Sequence, residues 1–260
     1  MAQSPKTQSP KTQSNKPSNK SSRGVVLAVV GVAMVVLAGL LLVQALGGDD
    51  EPERNTSREP AARDVEAPPA GECVEPPALP KSPPTFDEVP DESIAEGAVW
   101  EATLVTSCGE IVVELFGDKA PQTVSSFIHL AREGYWADSP CHRLVTSGIF
   151  VLQCGDPTGT GSGGPGYGYG VENAPGDYRY PPGTLAMART QDPNSNGGQF
   201  FIVYDDTELP DPVGYSIFGQ VVEGMEIVNQ VAEAGVGGSL GPEAPVQPIS
   251  ILDVRVEKQA

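Results

Sequence analysis

Histidine is nearly missing from this chain. Its 260 residues hold only two, His129 and His142, so little is left for imidazole chemistry. No GxSxG elbow, HExxH pair or CxxC motif occurs, and these are the patterns that place an activated serine, a zinc-binding helix or a redox pair. A Ser-His-Asp hydrolase would have to recruit His142, which sits beside Arg143 in a strand-like run. Asp205 and Asp206 read as a loop pair rather than a catalytic dyad, and His129 as a helix residue rather than a ligand. The four cysteines, at 73, 108, 141 and 154, lack metal-ligand spacing. Positive charge is scarce as well: 16 Lys and Arg face 34 Asp and Glu, for a net charge of −18. Such a balance excludes nucleic acid and anionic surfaces as partners for the bulk of the chain. The GTGSGG run inside Gly155 to Gly170 is followed by no Gly-Lys-Ser/Thr, so it is not a phosphate loop. It reads instead as an ordered surface excursion anchored by Tyr167 and Tyr169.

What is present changes sharply along the chain. Residues 1–23 carry Lys6, Lys11, Lys16, Lys20 and Arg23 and no acid. QSPKT occurs twice there, in a Pro, Ser, Gln and Lys mixture that cannot bury a core. Residues 24–46 hold no charge, and such a run is long enough to span a bilayer core of ~30 Å as a helix. The competitor is a cleavable signal peptide, with Val43-Gln44-Ala45 as a weak cleavage site; its apolar region is usually only about 7–15 residues. The length therefore favours an uncleaved anchor. Basic residues before the span and Asp49, Asp50, Glu51 and Glu53 after it put the N-terminus in the cytoplasm and the rest outside. Residues 47–97, rich in Pro and Glu, read as an extended tether.

Residues 98–260 form the globular domain. The stretch from Pro140 to Asp156 is its most informative part. Alternation around Arg143 to Val145, a turn at Thr146-Ser147-Gly148 and the β-branched run Ile149 to Gln153 predict a hairpin. Arg143 and Gln153 interrupt its apolar runs. That stretch alone fits either an edge hairpin with one exposed arginine or a shallow apolar groove with one fixed cation. Helices are expected at Ala120 to Arg132 and Glu223 to Ala234, and further strands at Val99 to Val105, Ile111 to Phe116, Gly183 to Ala188, Gln199 to Tyr204, Tyr215 to Val222 and Ile249 to Val256. Strands do not alternate with helices, so a doubly wound parallel sheet is disfavoured. A mostly β fold is expected: a closed eight-stranded antiparallel barrel capped by two helices, preceded by one transmembrane helix. The cysteines allow three disulfide connectivities or free buried thiols. On an ideal hairpin Cys141 and Cys154 face apart, so pairing them directly needs a bulge.

Three segments, CHRLVTSGIFVLQCGD, GTLAMART followed by PNSNGGQFFIV, and YSIFGQVVEGMEIVNQV, resemble the cyclophilin family of peptidyl-prolyl isomerases, here in a bacterial membrane-anchored form. The likeness covers about Val99 to Val256. It implies the barrel just described and a surface groove for Xaa-Pro peptides. By the same resemblance, Arg143, Gln153 and Phe150 are the catalytic candidates. Val151, Phe201 and Leu209, with Phe150, are the walls of a proline pocket. Ala188, Arg189 and Gln199 form a rim for the peptide backbone, and Tyr215 stands where many eukaryotic members have His. Val151 replaces the usual Met and Arg189 a common Asn. The groove Trp has no counterpart, because Thr207-Glu208 runs straight into Leu209-Pro210, so binding of cyclosporin is expected to be weak. The segment between Arg143 and Phe150 is longer than usual. No metal or cofactor is implied. The expected function is isomerisation of Xaa-Pro bonds in exported or cell-envelope proteins; a tethered module that binds Pro-containing segments without turnover is the alternative.

Overall fold

A computed structural model of the chain describes residues 63–259. The expected basic tail and membrane anchor, and the linker before residue 63, lie outside the described residues. Among the described residues no helix is long and apolar enough to cross a membrane.

Two alternating runs make the first hairpin, β1 (Val99–Thr106) and β2 (Gly109–Phe116). Their register pairs Trp100 with Leu115, Ala102 with Val113 and Leu104 with Ile111, so every inward residue meets another. Helix α1 (Pro121–Arg132) follows. Proline suits the first helical turn, where its missing N–H has no intrahelical partner to lose. The next two N–H groups, of Gln122 and Thr123, donate to the Glu172 carboxylate at 3.1 and 2.7 Å. An anion there also meets the positive end of the helix dipole. Val124, Phe127, Ile128 and Ala131 are buried, as their spacing predicts.

The remaining strands are β3 (Ser139–Pro140), β4 (Arg143–Ser147), β5 (Ile149–Cys154), β6 (Arg179–Tyr180), β7 (Thr184–Met187), β8 (Phe200–Val203), β9 (Thr207–Glu208), β10 (Ile217–Glu223) and β11 (Ser250–Lys258). Helix α2 (Met225–Ala234) lies between β10 and β11 and buries Ile227, Val228 and Val231. Nine strands form one antiparallel sheet in the order β3-β11-β1-β2-β10-β7-β8-β5-β4, and β6 pairs separately with β9.

The expectation of a closed eight-stranded barrel is therefore corrected. The large sheet has nine strands and two edges, β3 and β4, which are consecutive pieces of one chain segment. Its hydrogen bonds change partner between them. Pro140 has no N–H to give, the Cys141 N–H still reaches Ile249 O on the β11 side at 2.9 Å, and the Leu144 N–H turns instead to Glu243 O at 2.7 Å. The ladder ends there, and the sheet curls without closing.

The linker expectation is also corrected from residue 63 onward. Val74 donates its N–H to Ser107 O at 2.8 Å, Phe86 donates to Pro165 O at 2.7 Å, and Cys73 is disulfide-bonded to Cys108. A short 3-10 helix, Glu92–Ala95, hydrogen-bonds Ser125 on α1. Phe86 stacks edge-on against His129, with ring centroids 4.7 Å apart. The second disulfide joins Cys141 and Cys154. No bulge is needed, because Cys141 lies in the break between β3 and β4 and escapes the alternation that would have turned it away.

The main core lies between α1, α2 and the inner face of the sheet. Phe127, Trp136, Phe200 and Phe218 meet there at centroid distances of 4.5–6.5 Å. Phe200 is fully buried and touches all three others. Replacing it by alanine removes that contact and leaves a cavity the surrounding rings cannot fill. Phe200→Ala is expected to lower the unfolding free energy by about 3–5 kcal/mol, read as a shift of the urea midpoint at unchanged slope.

Candidate active site

Period two divides the strands around the hairpin between two apolar clusters. On β5, Leu152 and Cys154 enter the main core, and Val151 joins a second cluster on the opposite face. On β8, Phe200 and Ile202 go in, while Phe201 and Val203 go out; on β7, Leu185 and Met187 go in and Ala186 out. The apolar run QFFIVY is thus continuous because both faces of its strand are buried.

The outer face carries the site. Arg143 on β4 is paired with Gln153 on β5, Gln153 with Phe201 on β8, Phe201 with Ala186 on β7, and Ala186 with Ile217 on β10. One cross-strand row therefore runs from a cation through an amide to an aromatic ring. Beside it lies a hollow of about 130 Å³ lined by Arg143, Ile149, Val151, Gln153, Ala188, Arg189, Phe201, Leu209 and Tyr215. The structure thus brings together eight of the ten expected site residues around this space, and Gln199 joins them through a hydrogen bond.

The polar groups form a chain. Arg143 Nη1 donates to Gln153 Oε1 at 3.3 Å, and Gln153 Nε2 donates to Gln199 Oε1 at 2.9 Å. Gln199 Nε2 in turn donates to the carbonyls of Gly161 and Gly163 at 3.1 and 2.8 Å. These belong to the glycine-rich excursion, which Asp156 organises by accepting from Thr158 and Gly163 N–H groups. Burial pushes the Asp156 carboxyl up, but those hydrogen bonds outweigh it and its pKa is lowered. Gly155 begins this turn with φ +90°, and a Cβ there would collide with the Gly198 carbonyl, so only glycine fits. A second hollow of about 250 Å³, lined by Gln153, Gly163, Ala188, Ser195 and Gln199 among others, adjoins the first.

Arg189 behaves differently from Arg143. Its side chain is 3% exposed and its guanidinium donates to Gly214 O and Thr190 O, both at 2.9 Å, and to Asp211. It also lies over the Tyr215 ring, 4.7 Å from the centroid. Arg189 is thus committed to holding the loop that carries Tyr215. Beneath both sits Tyr180, fully buried, whose hydroxyl accepts from the Tyr215 N–H at 2.9 Å.

Phe150 is the one expected site residue that the structure turns away. β4 and β5 pair Ser147 with Ile149 across Gly148, whose φ is +80°. Strict alternation from that tight turn puts Ile149, Val151 and Gln153 on the groove face and Phe150 on the other, where its ring meets Tyr204 edge-on at 5.9 Å. Ile149 takes the pocket wall. Ile149, Tyr180 and Glu243, whose carboxylate pairs with Arg143 at 3.0 Å, are the residues that sequence reasoning missed. Among the described residues no three His, Cys, Asp or Glu side chains converge as a metal site.

A curled antiparallel sheet with Arg143 and Arg189 bordering a hollow on its outer face defines the class of fold. Known proteins resolve the class further. The model of the family described as cyclophilin type peptidyl-prolyl cis-trans isomerase/CLD matches residues 102–256. The probable peptidyl-prolyl cis-trans isomerase B of Mycobacterium tuberculosis is 36% identical over 168 residues, covering 60% of this chain and 54% of that protein. The chain thus spans about half the length of that relative. Peptidyl-prolyl cis-trans isomerase B of Escherichia coli is 33% identical over 164 residues, 60% of this chain and 99% of that protein. Among solved structures, a cyclophilin type peptidyl-prolyl cis-trans isomerase of Cryptosporidium parvum superposes with a TM-score of 0.52 at 29% identity, covering 62% of this chain and 99% of that one. The chain belongs to the cyclophilin type peptidyl-prolyl cis-trans isomerase family.

His142, next to Arg143, has its pKa held below the ordinary 6.5 by burial; the Asp156 carboxylate opposes this and the Arg143 charge reinforces it. The unfolded chain therefore takes up this proton first as pH falls. The group costs no stability above pH 6.5, and stability drains away as pH drops below that value. His142→Gln is expected to flatten the stability profile below pH 6.5, measured by urea unfolding at fixed ionic strength.

Proposed function

We propose that this protein is a peptidyl-prolyl cis–trans isomerase that turns Xaa-Pro bonds of exported or cell-envelope proteins by a non-covalent mechanism. The observation that carries the reading is a hollow of about 130 Å³ with Ile149, Val151, Phe201 and Leu209 in its wall and, at its edge, Arg143, the bordering arginine that keeps donors free; such a space suits a prolyl ring. A related structure of the Cryptosporidium parvum enzyme was determined in the presence of the dipeptide Ala-Pro, which supports the same class of ligand here.

The Xaa-Pro amide has partial double-bond character and a barrier of ~18–20 kcal/mol, and uncatalysed isomerisation takes about 10–100 s. No covalent bond is made or broken, so no nucleophile is required. Twisting ω breaks amide resonance and returns a lone pair to the proline nitrogen. Arg143 can then donate to that nitrogen, or to the rotating carbonyl, more strongly than in either planar state. Only such differential binding lowers the barrier. Val151, Ile149, Phe201, Leu209 and Tyr215 hold the ring while the acyl side rotates. Gln153 steadies the guanidinium, Gln199 steadies Gln153, and Ala188 borders the path of the peptide. Arg189 acts from beneath, keeping Tyr215 in the wall.

The cellular setting is part of the proposal. The uncharged run at 24–46, with basic residues before it and acids after it, supports a single-pass anchor with the isomerase domain outside the membrane. Two disulfides in the described domain suit an oxidising compartment. Cyclosporin is expected to bind weakly, since no tryptophan stands between Thr207 and Leu209. A non-catalytic binding module draws on one observation: Arg189, at the rim, is spent on the protein itself.

A cis–trans assay on a short Xaa-Pro peptide separates the two. In Arg143→Ala, kcat is expected to fall about 10²–10³-fold while peptide affinity changes only a few-fold. A wild-type chain that binds the peptide without accelerating its isomerisation would establish the binding module instead; equal losses of rate and affinity in Arg143→Ala would make Arg143 a binding group rather than the stabiliser of the twisted amide.

A further inference from the structure

Arg143 has a second anchor from a segment far away in sequence. Its Nε donates to Glu243 Oε2 at 3.0 Å, closer than the 3.3 Å contact of Nη1 with Gln153. Glu243 lies between α2 and β11. Its own carbonyl accepts the N–H of Leu144, the residue after Arg143, at 2.7 Å. One residue is thus tied to the site twice, by main chain and by side chain.

The geometry follows from the open edge of the sheet. β4 has no strand beyond it, so its outward N–H group needs another partner. The Glu243 carbonyl supplies one, and this fixes the Glu243 Cα beside the Arg143 peptide. The loop around it is itself held. Gly237 and Gly238 donate N–H groups to Ala244 O at 2.9 and 3.0 Å, Val246 donates to Gly235 O at 2.8 Å, and Ala244 is 2% exposed. A carboxylate on such a loop is presented to Nε from a fixed point.

Arginine has five N–H donors in one plane. With Nε bonded to Glu243 and one Nη1 hydrogen to Gln153, rotation about the last side-chain bonds is restrained from two sides. Three donors remain for the substrate. We propose that Glu243 is a positioning residue for the isomerisation: its carboxylate sets the plane and rotamer of Arg143, so the guanidinium meets the twisted amide without reorganising. This inference rests on the reading of Arg143 as the group that stabilises that amide.

The Glu243 side chain is 69% exposed and that of Arg143 36%, so solvent screens the pair and the effect is modest. Glu243→Ala is expected to lower kcat about 5-fold with KM within about 2-fold of wild type. Glu243→Gln keeps an oxygen that accepts from Nε, and is expected to retain at least about half of the rate. In an Arg143→Ala background, assayed at raised enzyme concentration, adding Glu243→Ala is expected to change the residual rate less than about 1.5-fold, because the group it positions is gone. If thermal unfolding shows that Glu243→Ala does not fold, Glu243→Asp, shorter by one methylene, takes its place with the same expected loss. An undiminished kcat, a loss seen only in KM, or the same fold-loss in the Arg143→Ala background overturns the positioning role. If Arg143→Ala itself keeps the wild-type rate, the reading of Arg143 as the group that stabilises the twisted amide falls as well; if Arg143→Ala is crippled and Glu243→Ala is not, only the role of Glu243 falls.

Discussion

The site depends on the register of three strands. Arg143, Gln153 and Phe201 stand in one row across β4, β5 and β8. Successive residues of a strand face opposite ways, so a slip of one position would send Arg143 toward the core and Leu144 toward the groove. The core forbids this. Leu144, Leu152 and Ile202, the neighbours that alternate with the site residues, are each no more than 2% exposed. A slip would take them out of that core and put a guanidinium, an amide and a phenyl ring in their place. The burial that stabilises the fold on one face therefore fixes the chemistry on the other.

Two arginines border the same hollow and their surroundings give them different work. The Arg189 guanidinium is enclosed, with carbonyl and carboxylate partners and an aromatic ring beneath it. A buried charge so fully paired has little left to offer a substrate, and its removal would take a partner from two carbonyls and leave Asp211 only the N–H groups of Val213 and Gly214. Arg143 is partly exposed, with two partners for five donors. Its desolvation cost is small, and a docked peptide would strengthen its field by excluding water. The rim arginine thus stabilises the shape of the hollow, while the edge arginine supplies the charge.

Much of this could be read along the chain. Alternation marked the hairpin with Arg143 and Gln153 as its polar interruptions, and the helical stripe of Val124, Phe127, Ile128 and Ala131 is buried as spaced. What escaped has physical reasons. Phe150 is the larger and more groove-like side chain, yet the turn at Gly148 decides the face, and it chose Ile149. Barrel closure was inferred from the need to hide strand edges, but Glu243 and the break at Cys141-His142 deal with those edges locally. Residues 63–97 have a tether's composition. Their attachment runs through one cysteine and scattered main-chain hydrogen bonds, which leave no periodic pattern. Glu243 was out of reach for a similar reason: its pairing spans 100 residues and no local motif announces it.

An edge strand is a poor place for a group that must be held still, because it has neighbours on one side only and frays easily. Here β4 is compensated on every side. Its partner β5 pairs with it from Arg143 to Ser147. The Cys141–Cys154 bond closes the open end of the hairpin, just outside the row of Arg143 and Gln153, and so restrains the end that would otherwise fray. Glu243 covers the outward N–H of Leu144 and grips the guanidinium itself. These restraints are covalent, main-chain and ionic, and they act within two residues of Arg143. A rate enhancement that rests on preorganised charge needs the cation to lose its freedom before the peptide arrives rather than during the turn. Built at the rim of an open sheet, that rigidity is compatible with access: the Arg143 side chain stays 36% exposed and the hollow beside it opens on the outer face.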